Sequence, residues 1–154
     1  MISQELAAFV QSGVSILVGT RDAACRPEGT RGFGALVSPA RDELTVFVAA
    51  STGGRTLANA RANGRVAVCF TRIVDHRSMQ LKGSALEVRD ARPDERVAID
   101  RYGGLLVQIM GEIGVPPRII LRLNRWPAHA LRLRIESVFV QTPGPGAGAP
   151  LVAR

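Results

Sequence analysis

The sequence predicts a small antiparallel β-barrel, mainly β with α, whose helices sit at its edges. Three observations lead there. Six segments read as strands, either alternating apolar with polar residues or running in β-branched ones. Several are joined by short turns and one by a short helix. The remaining helical patterns lie at the start and late in the chain, where they flank the strands.

The elements follow in order. Residues 3–11 read as a helix that Ser3 caps, with Leu6, Phe9 and Val10 on one face and Gly13 as its stop. Val14–Thr20 is a strand, 21–29 a loop containing Pro27 and Gly29, and Thr30–Ser38 a second strand holding Gly32 and Gly34. Pro39–Asp42 turns the chain into Glu43–Ala49, where Leu44, Val46 and Val48 alternate with Thr45, Phe47 and Ala49. Ser51-Thr-Gly-Gly54 opens a helix over 55–62, and Asn63-Gly64 closes it with a left-handed cap. Strands follow over 65–71 and 78–88. The first places Val66, Val68 and Phe70 on one side; the second sets Met79, Leu81 and Ala85 against Gln80, Lys82 and Ser84. Pro93 begins a third helix with Ile99, Tyr102, Leu106, Ile109 and Ile113 on its apolar face, and Gly103-Gly104 is a predicted weak point or break. A shorter helix is predicted over 118–123 and a last strand over 130–141. Residues 142–150 are too rich in Pro and Gly for regular structure, so the chain divides into one domain, 1–141, and a tail, 142–154.

At 154 residues the chain has one domain's length, enough to bury roughly 70% of its unfolded surface. It is 46% apolar, 21% charged and only 5% aromatic, so Val, Leu, Ile and Ala must build the core of a soluble protein. No run approaches the ~18 apolar residues of a membrane helix. The first residues lack a secretory signal's basic and apolar regions, so the expected location is cytoplasmic.

Several chemistries are excluded. Cys25 and Cys69 fit no metal or redox spacing and are expected to be unpaired, Cys69 in the core and Cys25 in a turn. Two histidines, His76 and His129, cannot make a multi-histidine metal site. No Gly-x-Ser-x-Gly elbow presents a nucleophile, and the sole lysine, Lys82, sits in no phosphate-binding loop. The net charge of +7 comes almost wholly from arginine, nineteen of twenty basic residues. The charges are scattered, as on a solvated surface, and they also favour anionic partners: nucleic acid, phosphorylated cofactors or anionic substrates.

Three segments carry candidate chemistry. In Val46–Thr56 a strand runs into a Ser/Thr/Gly turn and then a helix, so free amides, the hydroxyls and Arg55 could converge on a phosphate. The same pattern also describes a helix merely capped by Ser51 or Thr52. In Thr30–Val37, Gly32 and Gly34 mark a close approach of ligand or backbone, or else a bulge or barrel corner. In His76–Gly83, Ser78, Gln80 and Lys82 form a polar stripe that by itself is a solvent face.

In this order the segments resemble the FMN-binding split-barrel family related to pyridoxamine 5′-phosphate oxidase, over residues 2–90 and again over about 130–146. The resemblance implies a six-stranded antiparallel split β-barrel with peripheral helices. It also implies a homodimer with two FMN sites at the interface and an FMN-dependent oxidoreductase acting on a small-molecule substrate of unknown identity, without nucleic-acid or membrane partners. The backbone of Arg31, Gly32, Phe33 and Gly34 would follow the isoalloxazine ring. Ala49, Ser51, Arg55 and Thr56 would hold the ribityl chain and phosphate, and Ser78 and Gln80 would contact the flavin. Three departures stand out. The oxidase's C-terminal basic substrate motif is missing, Thr56 stands where relatives often carry lysine, and residues 91–129 match nothing in the oxidase. No side chain is assigned a catalytic role; Arg77 and His76 are the nearest candidates. A deazaflavin or haem is the alternative ligand, haem requiring His76, His129, Tyr102 or Met79 as its axial partner. A basic oligonucleotide-binding barrel is the alternative of another class. It needs exposed rings for stacking, and Phe33, Phe47, Phe70 and Phe139 fall mostly at strand positions suited to the core.

Overall fold

A computed structural model describes residues 1–153. Its elements are α1 (Gln4–Val10), β1 (Ser15–Arg21), β2 (Pro27–Val37), β3 (Glu43–Ala49), α2 (Gly54–Asn63), β4 (Arg65–Thr71) and β5 (Ser78–Asp90). A 3₁₀ turn (Pro93–Glu95), α3 (Arg96–Glu112), α4 (Pro117–Leu121), β6 (Ala128–Val140) and β7 (Pro150–Ala153) follow. The strands pair antiparallel in the order β3-β2-β1-β4-β5-β6, and β3 pairs with β6 to close a six-stranded barrel. Inside it lie Val14, Ile16, Val18, Leu44, Val46, Val48, Val68, Phe70, Leu81, Leu131 and Leu133, all essentially without exposure.

β1 and β4 show the alternation that their sequences carry, whereas β2 and β3 are buried on both faces over part of their length. In β4, Val66, Val68 and Phe70 are buried while Ala67, Cys69 and Thr71 are partly exposed on the outer side. Cys69 is therefore on the outer face, not in the core. β2 is longer than the sequence suggests. Pro27 serves as its first residue, where a missing N–H removes no ladder bond, so the expected loop shrinks to Asp22–Arg26. Asp22 organises that turn by accepting from the Arg26 backbone at 2.9 Å and from Arg26 Nε at 2.7 Å.

The helices dress the barrel. Ser3 caps α1 as expected, its hydroxyl accepting from the Leu6 N–H at 3.1 Å. Gly64 closes α2 in the left-handed conformation, at φ 70°. The expected break at Gly103-Gly104 is absent and α3 runs through both residues. Gly103 is required there for packing: a β-carbon would lie 2.8 Å from the Arg125 guanidinium carbon. Of the expected apolar face, Ile99, Tyr102 and Leu106 are buried against β2 and its neighbours, whereas Ile109 is half-buried and Ile113 lies exposed at the C-cap. Phe47 alternates with the interior residues Val46 and Val48 and is nevertheless fully buried.

The tail departs from expectation. Pro150–Ala153 returns as a seventh strand beside β6, pairing Val152 with Val138 where β3 no longer reaches. Among the described residues no helix is long and apolar enough to cross a membrane.

Candidate functional site

The outer faces of β2, β1, β4, β5 and β6 form one continuous surface, and ladder pairing arranges their residues in rows. One row runs Arg31–Leu17–Cys69–Gln80–Phe139. The next runs Gly29–Gly19–Ala67–Lys82–Ser137. A groove of about 430 Å³ lies across the first row, with Leu17, Thr30, Arg31, Cys69 and Gln80 around it and Gly19, Gly29 and Ala67 in its floor. Leu17 is 54% exposed in the middle of this sheet, an apolar anchor left open by the described residues. Arg31 and Gln80, far apart in sequence, thus meet at one groove.

The β3–α2 connection sits beside Arg31. Ala49 ends β3, buried, and its carbonyl accepts from the N–H groups of both Thr52 and Gly53. Gly53 is needed here, because a β-carbon would lie 2.4 Å from Val48 Cγ1. Neither Ser51 nor Thr52 caps the helix; Gly53 occupies the N-cap and contributes no side chain. The first amides of α2, on Gly54, Arg55 and Thr56, consequently have no intrahelical acceptor. Thr52 is instead tied to β2, where the Thr30 hydroxyl lies 3.3 Å from its carbonyl and 3.4 Å from its Oγ1. Thr56 is 1% exposed, and its hydroxyl has no hydrogen-bond partner among the described residues. Arg55 extends into solvent, with Nε 3.1 Å from a Glu28 carboxylate oxygen. An uncapped helix start, an unmatched buried hydroxyl and an exposed cation make a local demand for an acceptor-rich anion.

Other expected site residues lie elsewhere. The reason for Gly32 is inside the barrel, where its β-carbon would meet Ile16 Cγ2 at 2.6 Å and Val46 Cγ1 at 2.9 Å. Gly34 has φ 130° at a register shift between β2 and β3, and Tyr102 and Ala98 of α3 cover it. Phe33 is buried. Of the Arg31–Gly34 segment, only Arg31 reaches the groove. Ser78 is buried as well. Its hydroxyl donates to the His76 carbonyl at 2.8 Å and lies 3.0 Å from Thr71 Oγ1, while its N–H donates to Thr142 Oγ1 at 2.9 Å. It secures the end of β5 and the base of the tail.

Arg77 is held by Glu5 at 2.7 Å and stacks 5.0 Å above the Phe9 ring, and His76 occupies an exposed turn at φ 58°. Neither faces the groove. Tyr102 is buried, which pushes its phenol up to about 12 against the opposing fields of Arg31 and Arg125, and it donates to the Val14 carbonyl at 3.0 Å. Thr30, Glu28 and Leu17 join the candidate site without having been singled out in the sequence, and Cys69, expected in the core, lies at the groove instead. Their only signal is cross-strand register.

The family profile described as pyridoxamine 5′-phosphate oxidase matches residues 2–125, and so runs through α3 and α4, the stretch that the sequence reading left unmatched. Solved structures share the fold. HupZ of Group A Streptococcus is 19% identical, with 96% of this chain and 100% of that one covered and a TM-score of 0.60. An F420 reductase is 11% identical over 89% and 98% of the two chains, with a TM-score of 0.53. General Stress Protein 26 from Bacillus anthracis is 10% identical over 90% and 93%, with a TM-score of 0.52. No curated protein sequence matches the chain.

Proposed function

The chain belongs to the pyridoxamine 5′-phosphate oxidase family, and from that premise we propose that it is an FMN-dependent oxidoreductase acting on a small molecule. The observation that carries this reading is the uncapped start of α2. Its free amides, the unpartnered Thr56 hydroxyl and Arg55 suit a phosphate, and the Thr30–Thr52 contact joins them to the groove of Arg31 and Gln80. The bound flavin would supply hydride transfer at its N5. The chain's own residues bind and orient the group. Gln80 and Arg31 offer hydrogen bonds at the groove rim, and the floor of Gly19, Gly29 and Ala67 accepts a flat ring. Such a ring on one sheet keeps an open face, so a second copy packed over exposed Leu17 completes the site; light scattering of the flavin-loaded protein should report a dimer.

A deazaflavin is the second reading, favoured by the fold shared with an F420 reductase, and its phosphate would use the same clamp. Haem finds no axial ligand in this groove, which no His, Tyr or Met lines. Met79 and Tyr102 are buried, and His129 Nδ1 lies 2.9 Å from Asp90 Oδ1.

The test is a flavin titration. A phosphate monoester carries about −1.5 to −2 charges at pH 7, and a charge-assisted hydrogen bond contributes about 1.5–3 kcal/mol. Arg55→Ala should therefore weaken FMN binding about ten- to a hundredfold and leave riboflavin, which has no phosphate, unaffected. Glu28→Gln removes both a competitor for Arg55 and a negative neighbour, and FMN should bind severalfold tighter. Equal losses for FMN and riboflavin, or no loss for FMN, would remove the clamp from the reading.

A further inference from the structure

A larger groove, about 680 Å³, adjoins the first and shares Gly19 and Ala67 with it. Arg21, Arg65 and Lys82 stand around it, against one carboxylate, Glu136. That carboxylate already accepts from the Ser84 hydroxyl and comes no nearer than 4.0 Å to Arg65. Among the described residues Arg21 and Lys82 have no carboxylate partner; Arg21 donates only to the Asp22 carbonyl, and Lys82 lies 4.5 Å over the Phe139 ring. Elsewhere about half of the arginines are paired with acidic neighbours, Arg26, Arg72, Arg77, Arg89 and Arg132 among them. The groove is thus a local excess of positive charge over a floor of small residues, with the volume of a small-molecule site. Lys82 follows Gln80 by two residues on the same strand face, about 7 Å along the sheet.

We propose that this basic groove holds the anionic end, a phosphate or a carboxylate, of the substrate whose other end reaches the flavin site. The inference rests on the flavin reading for its second half only, because the anion groove is a binding property that can be measured alone. Lys82 and Arg65 supply the charge, Arg21 closes the near side, and the shared floor lets one extended molecule span both grooves.

The experiment is calorimetric titration of the protein with pyrophosphate and with tricarballylate at low ionic strength, with and without FMN. The groove variant is Arg65→Gln/Lys82→Gln. The control is Arg118→Gln/Arg122→Gln, which loses the same charge near α4. Either anion should saturate the wild-type protein. The groove variant should bind it at least tenfold more weakly, the control less than twofold, and FMN affinity should be the same in all three. Arg65→Lys/Lys82→Arg, which preserves the charges, should retain anion binding. Preference for pyrophosphate or tricarballylate assigns the substrate's phosphate or carboxylate. Failure of both anions to saturate the wild type, or equal weakening in groove variant and control, overturns the proposal. Absence of FMN binding overturns the flavin reading instead, with the anion result read from the flavin-free titration.

Discussion

Gly83→Ala is expected to be the most damaging single substitution in the barrel. A β-carbon at this position would lie 1.8 Å from the Arg134 carbonyl oxygen and 2.9 Å from its carbon. Both atoms belong to the backbone of β6, so relief means separating β5 from β6 at the register shift between Lys82 and Gly83. The chain's interior has no slack there, since Leu133 Cδ1 is 3.4 Å away. Loss of about 4 kcal/mol or more is expected, a large part of the ~5–15 kcal/mol that stabilises a domain. Urea unfolding should occur at clearly lower denaturant, with melting lowered by about 10 °C or more. Gly54→Ala is the control, because its β-carbon meets nothing within 4 Å and it should melt like the parent. Similar behaviour of the two variants would mean that β5 and β6 tolerate separation.

Glu95 carries the second large effect. It is 8% exposed and receives Arg89 through two bonds of 2.7 and 2.8 Å and the Arg92 N–H at 2.8 Å. The Arg89 hydrogen bonds hold its carboxyl at about 2, down from 4.5, in opposition to burial. A carboxyl whose folded value is depressed contributes stability above its unfolded value and loses it as pH falls towards the folded one. The contribution, about 3 kcal/mol, should be complete at pH 7 and should fade between about pH 4.5 and 2. Glu95→Gln should therefore be less stable by about 2–3 kcal/mol at pH 7, and Glu95→Ala, which leaves Arg89 only its 3.6 Å pairing with Glu87, should lose about as much or slightly more. Unfolding curves at pH 7, 4 and 3 would converge for wild type and Glu95→Gln. A gap that stays constant with pH would show that the carboxylate charge plays no part.

Strands such as β4 were legible because they bury a single side, which leaves the Val66–Val68–Phe70 pattern in the sequence. The bounds of α2 were legible from local turn residues, Ser51–Gly54 before its start and Asn63-Gly64 at its end. Other features depend on partners distant in the chain. Nothing near Gly103 announces that Arg125 will lie across it, so a residue that normally weakens a helix reads as a break. Gly32 and Gly34 resemble each other in sequence, yet one accommodates Ile16 inside the barrel and the other passes beneath α3. Ser78 and Gln80 have the same parity on one strand. Only the turn at His76 and the returning tail, through Thr142, make the first internal and leave the second at a groove. The Arg31–Leu17–Cys69–Gln80 row depends on three separate registers, which strand patterns alone leave open. The seventh strand was hidden by the Pro/Gly composition of the residues that lead into it.

The closure of β3 on β6 has a consequence in time. Glu43 and its partner Arg132 are 89 residues apart in the chain, and neither hairpin β1–β2 nor β4–β5 can substitute for their pairing. During synthesis, β3 must wait with an unpaired edge until nearly the whole chain has emerged from the ribosome. A loop of that length makes ring closure a late, entropically uphill event, so folding on the millisecond-to-second scale of non-local β proteins is expected. The interval before closure is when Val46 and Val48 are most open to pairing with a neighbouring nascent chain.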